Sequence, residues 1–270
     1  MHRVAIVVLN YLNYADTIEC VDSILKMKYP LCGIIIVDNA SYNGAYQKLN
    51  AVYKNRNRIH IIKTRNNLGY AKGNNCGISY ARKWLKADYV LVVNNDTVFI
   101  DKEYIKKLVK SYKKGIGVIG GKINLEGNCE QPPMVNYLGL KDSILRYLNR
   151  LSLQFGSSFE FPTKSGRPTT VLHGCALMFT PDFFEKYKGF YKHTFLYGEE
   201  AILYLMCKCK GLEQKYVPEA VIFHKEDQSS MMSFQNDNGI LEKYSLQSEK
   251  YIILWEIRYH VSLFFQKIKK

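Results

Sequence analysis

Nothing in the 270 residues is long and apolar enough to span a bilayer. The longest stretch without Asp, Glu, Lys or Arg runs from Pro168 to Pro181 and includes a His and a Gly, whereas a spanning helix needs about 18–20 apolar residues. The N-terminus passes from Met-His-Arg straight into a strand-like run, without a secretory leader pattern. A disulfide framework is also missing. The seven cysteines, at 20, 32, 76, 129, 175, 207 and 209, are odd in number and scattered, and read as free thiols of a reducing compartment. Cys207 and Cys209 form a C-x-C pair that reads as two side chains of a mostly buried helix, because a metal site needs further ligands nearby. The expected setting is therefore cytoplasmic, with any membrane contact peripheral. The glycine-bearing segment 66–75 has neither the G-K-[ST] ending of a P-loop nor the G-x-G-x-x-G spacing, which disfavours P-loop and dinucleotide chemistry there. No RNP, zinc-finger or helix-turn-helix pattern is present, so nucleic acid is not an expected partner. Acidic residues are in short supply, 24 against 38 Lys and Arg. The resulting net charge of +14 favours an anionic partner such as a phosphorylated small molecule or an acidic membrane surface.

The composition that remains, 47% hydrophobic and 23% charged, is that of a globular protein. The length suits one large α/β domain. Val4–Leu9, Gly33–Val37, Ile59–Ile62 and Tyr89–Val93 are short apolar, β-branched runs, the pattern of strands buried on both faces of a parallel sheet. Helical periodicity follows each. Asn13 is placed to cap the first helix, residues 45–53 form the second, residues 69–85 pass from a loop into the third, and Ile105, Leu108, Val109 and Tyr112 make the stripe of a fourth. This alternation predicts a doubly wound, mostly parallel sheet with ligands at the carboxyl ends of its strands. Those ends are all polar: Asn10-Tyr11, Asp38-Asn39, Thr64–Asn67 and Asn94–Asp96. Further on, residues 117–123 and 170–180 read as strands, residues 144–153 as a short helix, and residues 247–270 as a helix with Leu254, Ile257, Val261, Phe264 and Ile268 on one stripe.

Five constellations carry chemistry. Asn94-Asn95-Asp96 at a strand end suits a divalent ion bridging a diphosphate, or equally an Asn/Asp turn. Asp38 in Val37–Ser41 could accept a hydrogen bond from a base or ribose, or cap a turn. In the segment 66–75, two glycines allow close backbone approach and Lys72 could meet a phosphate. Glu199-Glu200 after an aromatic-glycine turn offers a general base, or only an acidic first helical turn. His224 ends Val217–His224 as a second metal ligand or a structural histidine.

Order and spacing decide between these readings. With Val-Val-Leu-Asn-Tyr at 7–11, Val-Asp-Asn-Ala-Ser at 37–41, Asn-Leu-Gly-Tyr-Ala-Lys-Gly-Asn-Asn at 67–75, Asn-Asn-Asp at 94–96, Gly-Cys-Ala-Leu-Met-Phe at 174–179, Tyr-Gly-Glu-Glu at 197–200 and Val-Pro-Glu-Ala-Val-Ile-Phe-His at 217–224, residues 3–227 resemble the family 2 glycosyltransferases of the GT-A fold. The likeness is greatest to the rhamnosyltransferase-like branch of bacterial surface polysaccharide synthesis.

The resemblance implies an inverting transfer from a nucleoside-diphosphate sugar, dTDP- or UDP-linked, to a hydroxyl of a glycan or lipid-linked glycan. It implies that Asp38 contacts the base and that Asn67, Gly69, Lys72 and Gly73 line the donor, with Asn10, Tyr11, Asn74 and Asn95 on the same side. Asp96 and His224 would hold Mg²⁺ or Mn²⁺, with Asn94 standing where other branches place a first acid. Glu200 would be the catalytic base assisted by Glu199, and His173, Gly174 and Cys175 would lie near the transferred sugar on the acceptor side. Many relatives carry Asp and Arg where this chain has Ile202 and Met206. Those departures support the alternative, a non-catalytic GT-A-fold binding or scaffold protein.

The expected organisation is a GT-A domain over 1–227, with a nucleotide-sugar half at 1–123 and an acceptor and catalytic half at 124–227. A helical extension at 228–270 follows. There Tyr251, Trp255, Tyr259 and Phe265, with Lys267, Lys269 and Lys270, suit peripheral contact with the inner membrane.

Overall fold

The computed structural model describes residues 2–125, 130–131, 134–137, 139–154, 167–225 and 238–268. The first half is built from β1 (Val4–Asn10), α1 (Tyr14–Leu25), β2 (Gly33–Asp38), α2 (Ala45–Tyr53), β3 (Ile59–Lys63), α3 (Gly69–Lys83) and β4 (Tyr89–Asn94). Its strands lie in the order β3-β2-β1-β4, all parallel. The alternation read from the sequence is thus the one observed. Asn13 caps α1, its side chain accepting from the Asp16 N–H.

β1 shows why these runs are strands. Val4, Ile6 and Val8 point to one side, against Cys20, Val21 and Ile24 of α1 and Leu49 and Tyr53 of α2. Ala5 and Val7 point to the other, against Ala71, Ile78 and Ala81 of α3. Covering both faces leaves no polar face to alternate, so the sequence reads as unbroken β-branched residues. α3 lies close on the sheet because glycines face it. A Cβ at Gly77 would fall 2.4 Å from Val7 Cγ1, and one at Gly73 would fall 2.7 Å from Leu9 Cδ1.

The second half departs from the parallel pattern. It comprises β5 (Thr97–Val98), α4 (Tyr104–Ser111), β6 (Ile116–Asn124), β7 (Glu130–Gln131), β8 (Met134–Tyr137), α5 (Leu140–Gln154), β9 (Arg167–Leu172), β10 (Ala176–Phe179), α6 (Pro181–Lys186), α7 (Glu199–Cys209), β11 (Glu213–His224) and α8 (Asn238–Ile268). The sheet continues β4-β10-β6-β11-β5, with β10 antiparallel to both neighbours. The single strand expected over 170–180 is in fact two. β9 pairs with β8 in a separate ribbon and β10 enters the main sheet, with a turn at His173–Cys175 between them.

β11 is bulged between Val217 and Val221, where Pro218 has no N–H to give to the ladder. Beyond the bulge the strand reaches β5, with His224 opposite Thr97.

α8 packs on α5 and α7. Leu246, Ile252 and Trp255 are its buried apolar residues, with Trp255 edge-on to Tyr187 and Tyr191. Tyr251 and Tyr259 also rest against the core. These three aromatics therefore serve packing, which corrects their reading as membrane anchors. The stripe Leu254, Ile257, Val261, Phe264 and Ile268 faces outward, 36–63% exposed. Among the described residues no helix is long and apolar enough to cross a membrane. The described cysteines are free, and Cys129 lies outside the described residues.

Candidate active site

The carboxyl ends of β1, β2 and β4 carry a buried polar web. Asn10 donates through Nδ2 to Asp38 Oδ1 at 2.7 Å and to Ser41 Oγ at 3.2 Å, and accepts at Oδ1 from Thr17 Oγ1 at 2.8 Å. Asn95 Nδ2 reaches Thr17 Oγ1 at 3.1 Å and the Asn13 carbonyl at 3.0 Å. Asn39 Nδ2 donates to Asn67 Oδ1 at 2.9 Å, and Asn39 Oδ1 accepts the Leu68 N–H at 3.0 Å. The loop leading into α3 is thereby tied to the end of β2. The web uses one oxygen of Asp38. The other, Oδ2, is buried without a partner among the described residues. A buried carboxylate oxygen costs about 1–3 kcal/mol when left unsatisfied, so it is an acceptor awaiting a donor. Leu12 and Ala40, at φ 65° and 61°, hold left-handed backbone in the adjoining loops, strain of the kind stored at binding sites.

Sequence-predicted residues separate here into two kinds. Asn10 and Asn95 are braces. Gly73 faces Leu9, and Asn74 is fully buried, so both serve the underside of α3. Lys72 is exposed one position away, and Tyr11 and Asn67 are partly exposed at the edge. Thr17, Asn39 and Ser41 were missed as members of the web. Asn39 and Ser41 stood inside the quoted Val37–Ser41 motif, whereas Thr17 is an ordinary helix position with no local signal.

A second cluster gathers around the 173–175 turn. Asp96 and His224 are both buried, with Oδ1 and Nε2 3.2 Å apart. The β5–β11 pairing brings them together across the sheet. The Lys225 N–H fixes the Asp96 carbonyl at 3.0 Å. His173 lies beside His224, ring centroids 5.9 Å apart, and its Nδ1 accepts the Cys175 N–H at 3.3 Å. Cys175 is buried. Burial pushes its thiol far up, and the charges of Asp96 and Glu200 push the same way, so it stays neutral near both. At the same turn Glu200 packs on Gly174, where a Cβ would lie 2.4 Å from Glu200 Oε1. Tyr70, overlooked in the sequence though it lies inside the 67–75 motif, donates its hydroxyl to the Gly174 carbonyl at 2.8 Å. Burial, then Glu200 and Glu199, keep that hydroxyl protonated.

Glu199 and Glu200 open α7 after two left-handed residues, Tyr197 at φ 70° and Gly198 at φ 76°. Burial, reinforced by Glu200 and opposed by hydrogen bonds from backbone and Thr194, pushes the Glu199 carboxyl up to about 8. It is therefore a neutral acid at pH 7. Between the ordinary 4.5 and about 8, the native chain holds a proton on Glu199 that the unfolded chain has released, so stability falls as pH rises through this window and then levels. Glu199→Gln stays neutral throughout. Its melting temperature is expected to gain on wild type by roughly 3–8 °C between pH 5 and pH 8.5. A difference that does not change with pH would show that Glu199 is ionised in the native chain.

Ile202 and Met206, the positions of departure, are buried in the core under α7. Their apolar character is what this packing demands.

A model described as glycosyl transferase family 2 matches residues 4–188. The chain belongs to that family. Glu199, Glu200 and His224 lie beyond the matched residues, so their roles rest on the geometry above. The glycosyltransferase GlyG of Streptococcus pneumoniae serotype 4 is 32% identical over 95 residues, 35% of this chain and 30% of that protein. The low-salt glycan biosynthesis hexosyltransferase Agl10 of Haloferax volcanii is 25% identical over 197 residues, 73% of this chain and 58% of its own length. The chain thus spans under two thirds of these curated relatives. Among solved structures it is similar in fold to a mannosyltransferase of Pyrobaculum calidifontis in complex with GDP-Man and Mn²⁺. The TM-score is 0.59 at 12% identity, covering 99% of this chain and 76% of that one. It is also similar to TarS of S. aureus in complex with UDP-GlcNAc, with a TM-score of 0.58 at 16% identity over 86% and 60% of the two chains. The fold is that of the GT-A glycosyltransferases, a mixed central sheet flanked by helices, with a C-terminal helix added.

Proposed function

We propose that this chain is an inverting glycosyltransferase that moves a sugar from a nucleoside-diphosphate sugar to a hydroxyl of a glycan or lipid-linked glycan. The observation that carries the reading is the gathering at the 173–175 turn of the Asp96–His224 pair and of Glu200, which packs against Gly174. In this reading Asp38 Oδ2 takes a donor hydrogen bond from the base or ribose, and the loop at 67–69 lines the nucleotide. Asp96 and His224 supply two adjacent ligands, a carboxylate and an imidazole. Those two side chains would hold Mg²⁺ or Mn²⁺, a small protein share of the kind such ions take when they also bind substrate phosphates. Among the described residues no cluster of three or more such ligands exists, so a closed protein cage is not the fit. When bound, the ion neutralises charge on the departing diphosphate. Glu200 removes the acceptor hydroxyl proton as that oxygen attacks the anomeric carbon and the bond to the diphosphate oxygen breaks. Glu199, neutral at pH 7, does not compete for that proton. The donor-bound fold relatives and the glycan-pathway relatives support a nucleotide-sugar donor and a glycan acceptor. Rhamnose from dTDP and a hexose from UDP are the two donors to try first.

The test is release of free nucleoside diphosphate from a panel of dTDP-, UDP- and GDP-sugars, with Mn²⁺ and with EDTA. Mn²⁺-dependent release from one of them is expected. Release equal in EDTA would remove the metal site, and no release from any would favour a binding protein.

The exposed stripe of α8 belongs to the same reading. No acid follows Glu256, whereas Arg258, Lys267, Lys269 and Lys270 are basic, so the surface complements anionic lipid. Phe264→Ser with Phe265→Ser is expected to abolish sedimentation with phosphatidylglycerol vesicles without lowering the melting temperature, because both rings are exposed. Undiminished sedimentation would rule the stripe out as the lipid contact.

A further inference from the structure

We infer that the cleft between α5, α7 and α8 is the acceptor subsite and that it takes an acceptor carrying an oxyanion, a phosphate or a carboxylate. This rests on the reading of Glu200 as the base. The cleft is open to solvent, has a volume of about 490 Å³ and has Glu200 in its wall, so what fills it lies beside that residue. The volume suits one or two sugar residues.

Two arginines one helical turn apart on α5, Arg146 and Arg150, line the opposite side. Their states differ. Arg146 is bound to the buried Glu249 of α8 at 2.7 Å, which neutralises it and pins α5 to α8. Arg150 donates to the hydroxyl of Ser245, and among the described residues that neutral group is its one recorded partner. A guanidinium has five N–H donors in a planar fork, so Arg150 keeps most of its capacity, and its full charge, for what enters the cleft. A fork of this kind matches the two oxygens of a phosphate or carboxylate in a way that a single sugar hydroxyl does not.

Glu242 and Glu200 also line the cleft. They are suited to accept hydrogen bonds from sugar hydroxyls, and they oppose an anion except at Arg150. The oxyanion is therefore confined to one end of the acceptor. The net charge of +14 draws such acceptors toward the protein.

The test uses three probes on the full chain in EDTA, which keeps metal-bridged phosphate out of the Asp96–His224 region. The probes are glucose 1-phosphate, glucuronate and methyl glucoside, with affinities read by saturation-transfer NMR. Both anionic probes are expected to bind more tightly than methyl glucoside. Arg150→Gln should weaken them roughly tenfold, the loss of one charge-assisted pair, and leave methyl glucoside unchanged. Glu242→Gln should strengthen them. If Arg150→Gln fails to fold, Arg150→Lys, which keeps the charge and loses the fork, should still cost the anionic probes part of their advantage. A preference for glucose 1-phosphate over glucuronate names phosphate as the source, and the reverse names carboxylate. Equal affinity for all three probes, or anionic affinity indifferent to Arg150, overturns the proposal. Titration of the same samples with UDP and Mn²⁺ reads the donor site separately. Anion binding at Arg150 without nucleotide binding keeps the subsite and removes the glycosyltransferase reading. Nucleotide binding without anion preference removes the subsite alone.

Discussion

Glu200→Gln is expected to lower kcat by about 10³-fold, within the 10²–10⁴ that a positioned general base supplies, while nucleotide affinity stays within about twofold of wild type. The substitution is nearly isosteric, and the contact with Gly174 demands that. Position 174 has no room for a Cβ beside Glu200 Oε1, so the side chain's shape is fixed by the turn and only its basicity is free to change. Glutamine keeps the shape and loses the basicity. Asp96 and His224 pair with each other at 3.2 Å, so the donor side should not register the change. The neutral Glu199 cannot take over at pH 7, because burial beside Glu200 holds its proton there. Once Glu200 is uncharged, Glu199 loses the repulsion that reinforces its high value. A partial return of activity in the variant at alkaline pH would then mark Glu199 as the substitute base. Full activity at pH 7 would remove Glu200 from the role.

The second large effect is expected at Gly69, and Gly44 supplies its control. Both glycines sit at nearly the same left-handed angle, φ 76° and 78°. A Cβ at Gly44 meets nothing within 4 Å, so Gly44→Ala carries only the conformational cost of left-handed alanine, about 1–2 kcal/mol. A Cβ at Gly69 would lie 2.3 Å from the Phe195 carbonyl oxygen, a backbone atom that cannot rotate away. The same oxygen accepts the Tyr70 N–H at 2.8 Å, so the close approach is what joins the 67–69 loop to the segment leading into Glu199 and Glu200. Gly69→Ala is therefore expected to cost roughly 3–5 kcal/mol and to lower activity more than 10²-fold, since the donor loop and the base must separate. Urea denaturation of the two variants measures the difference. Equal costs would show that the contact at Phe195 is soft.

The contrast between these glycines explains what was legible in the sequence. Val4–Leu9, Gly33–Val37 and Tyr89–Val93 announced themselves because burial on both faces removes polar residues, and that is a local property of composition. α1, α2 and α4 were legible through periodicity. The break at His173–Cys175 was not. Leu172, Cys175 and Ala176 are all apolar, and the turn exists because Gly174 must admit Glu200, a contact between distant segments. The direction of β10 was hidden too, since an antiparallel strand buried inside the sheet carries the same apolar run as its parallel neighbours.

At the site, motif order brought attention to Asp38, Asp96, Glu200 and His224, and all four lie at the carboxyl edge or the 173–175 turn. The division of labour among their neighbours was not visible. Asn10 and Asn95 sit at strand ends as Asp38 does, yet they brace while Asp38 keeps an unpaired oxygen among the described residues. Along α8, periodicity found the stripe of Leu254, Ile257, Val261, Phe264 and Ile268. It could not say that Trp255, one residue away, is the one that packs.

The central claim is that the carboxyl edge of β1, β2 and β4 holds a nucleoside diphosphate through a metal. Calorimetric titration of the full chain with UDP, dTDP, GDP and CMP, first with Mn²⁺ and then with EDTA, tests it most directly. One nucleoside diphosphate is expected to bind with Mn²⁺ and to lose most of its affinity in EDTA, with Asp96→Ala reproducing the EDTA result. Binding of none of the four, in either condition, would contradict the account.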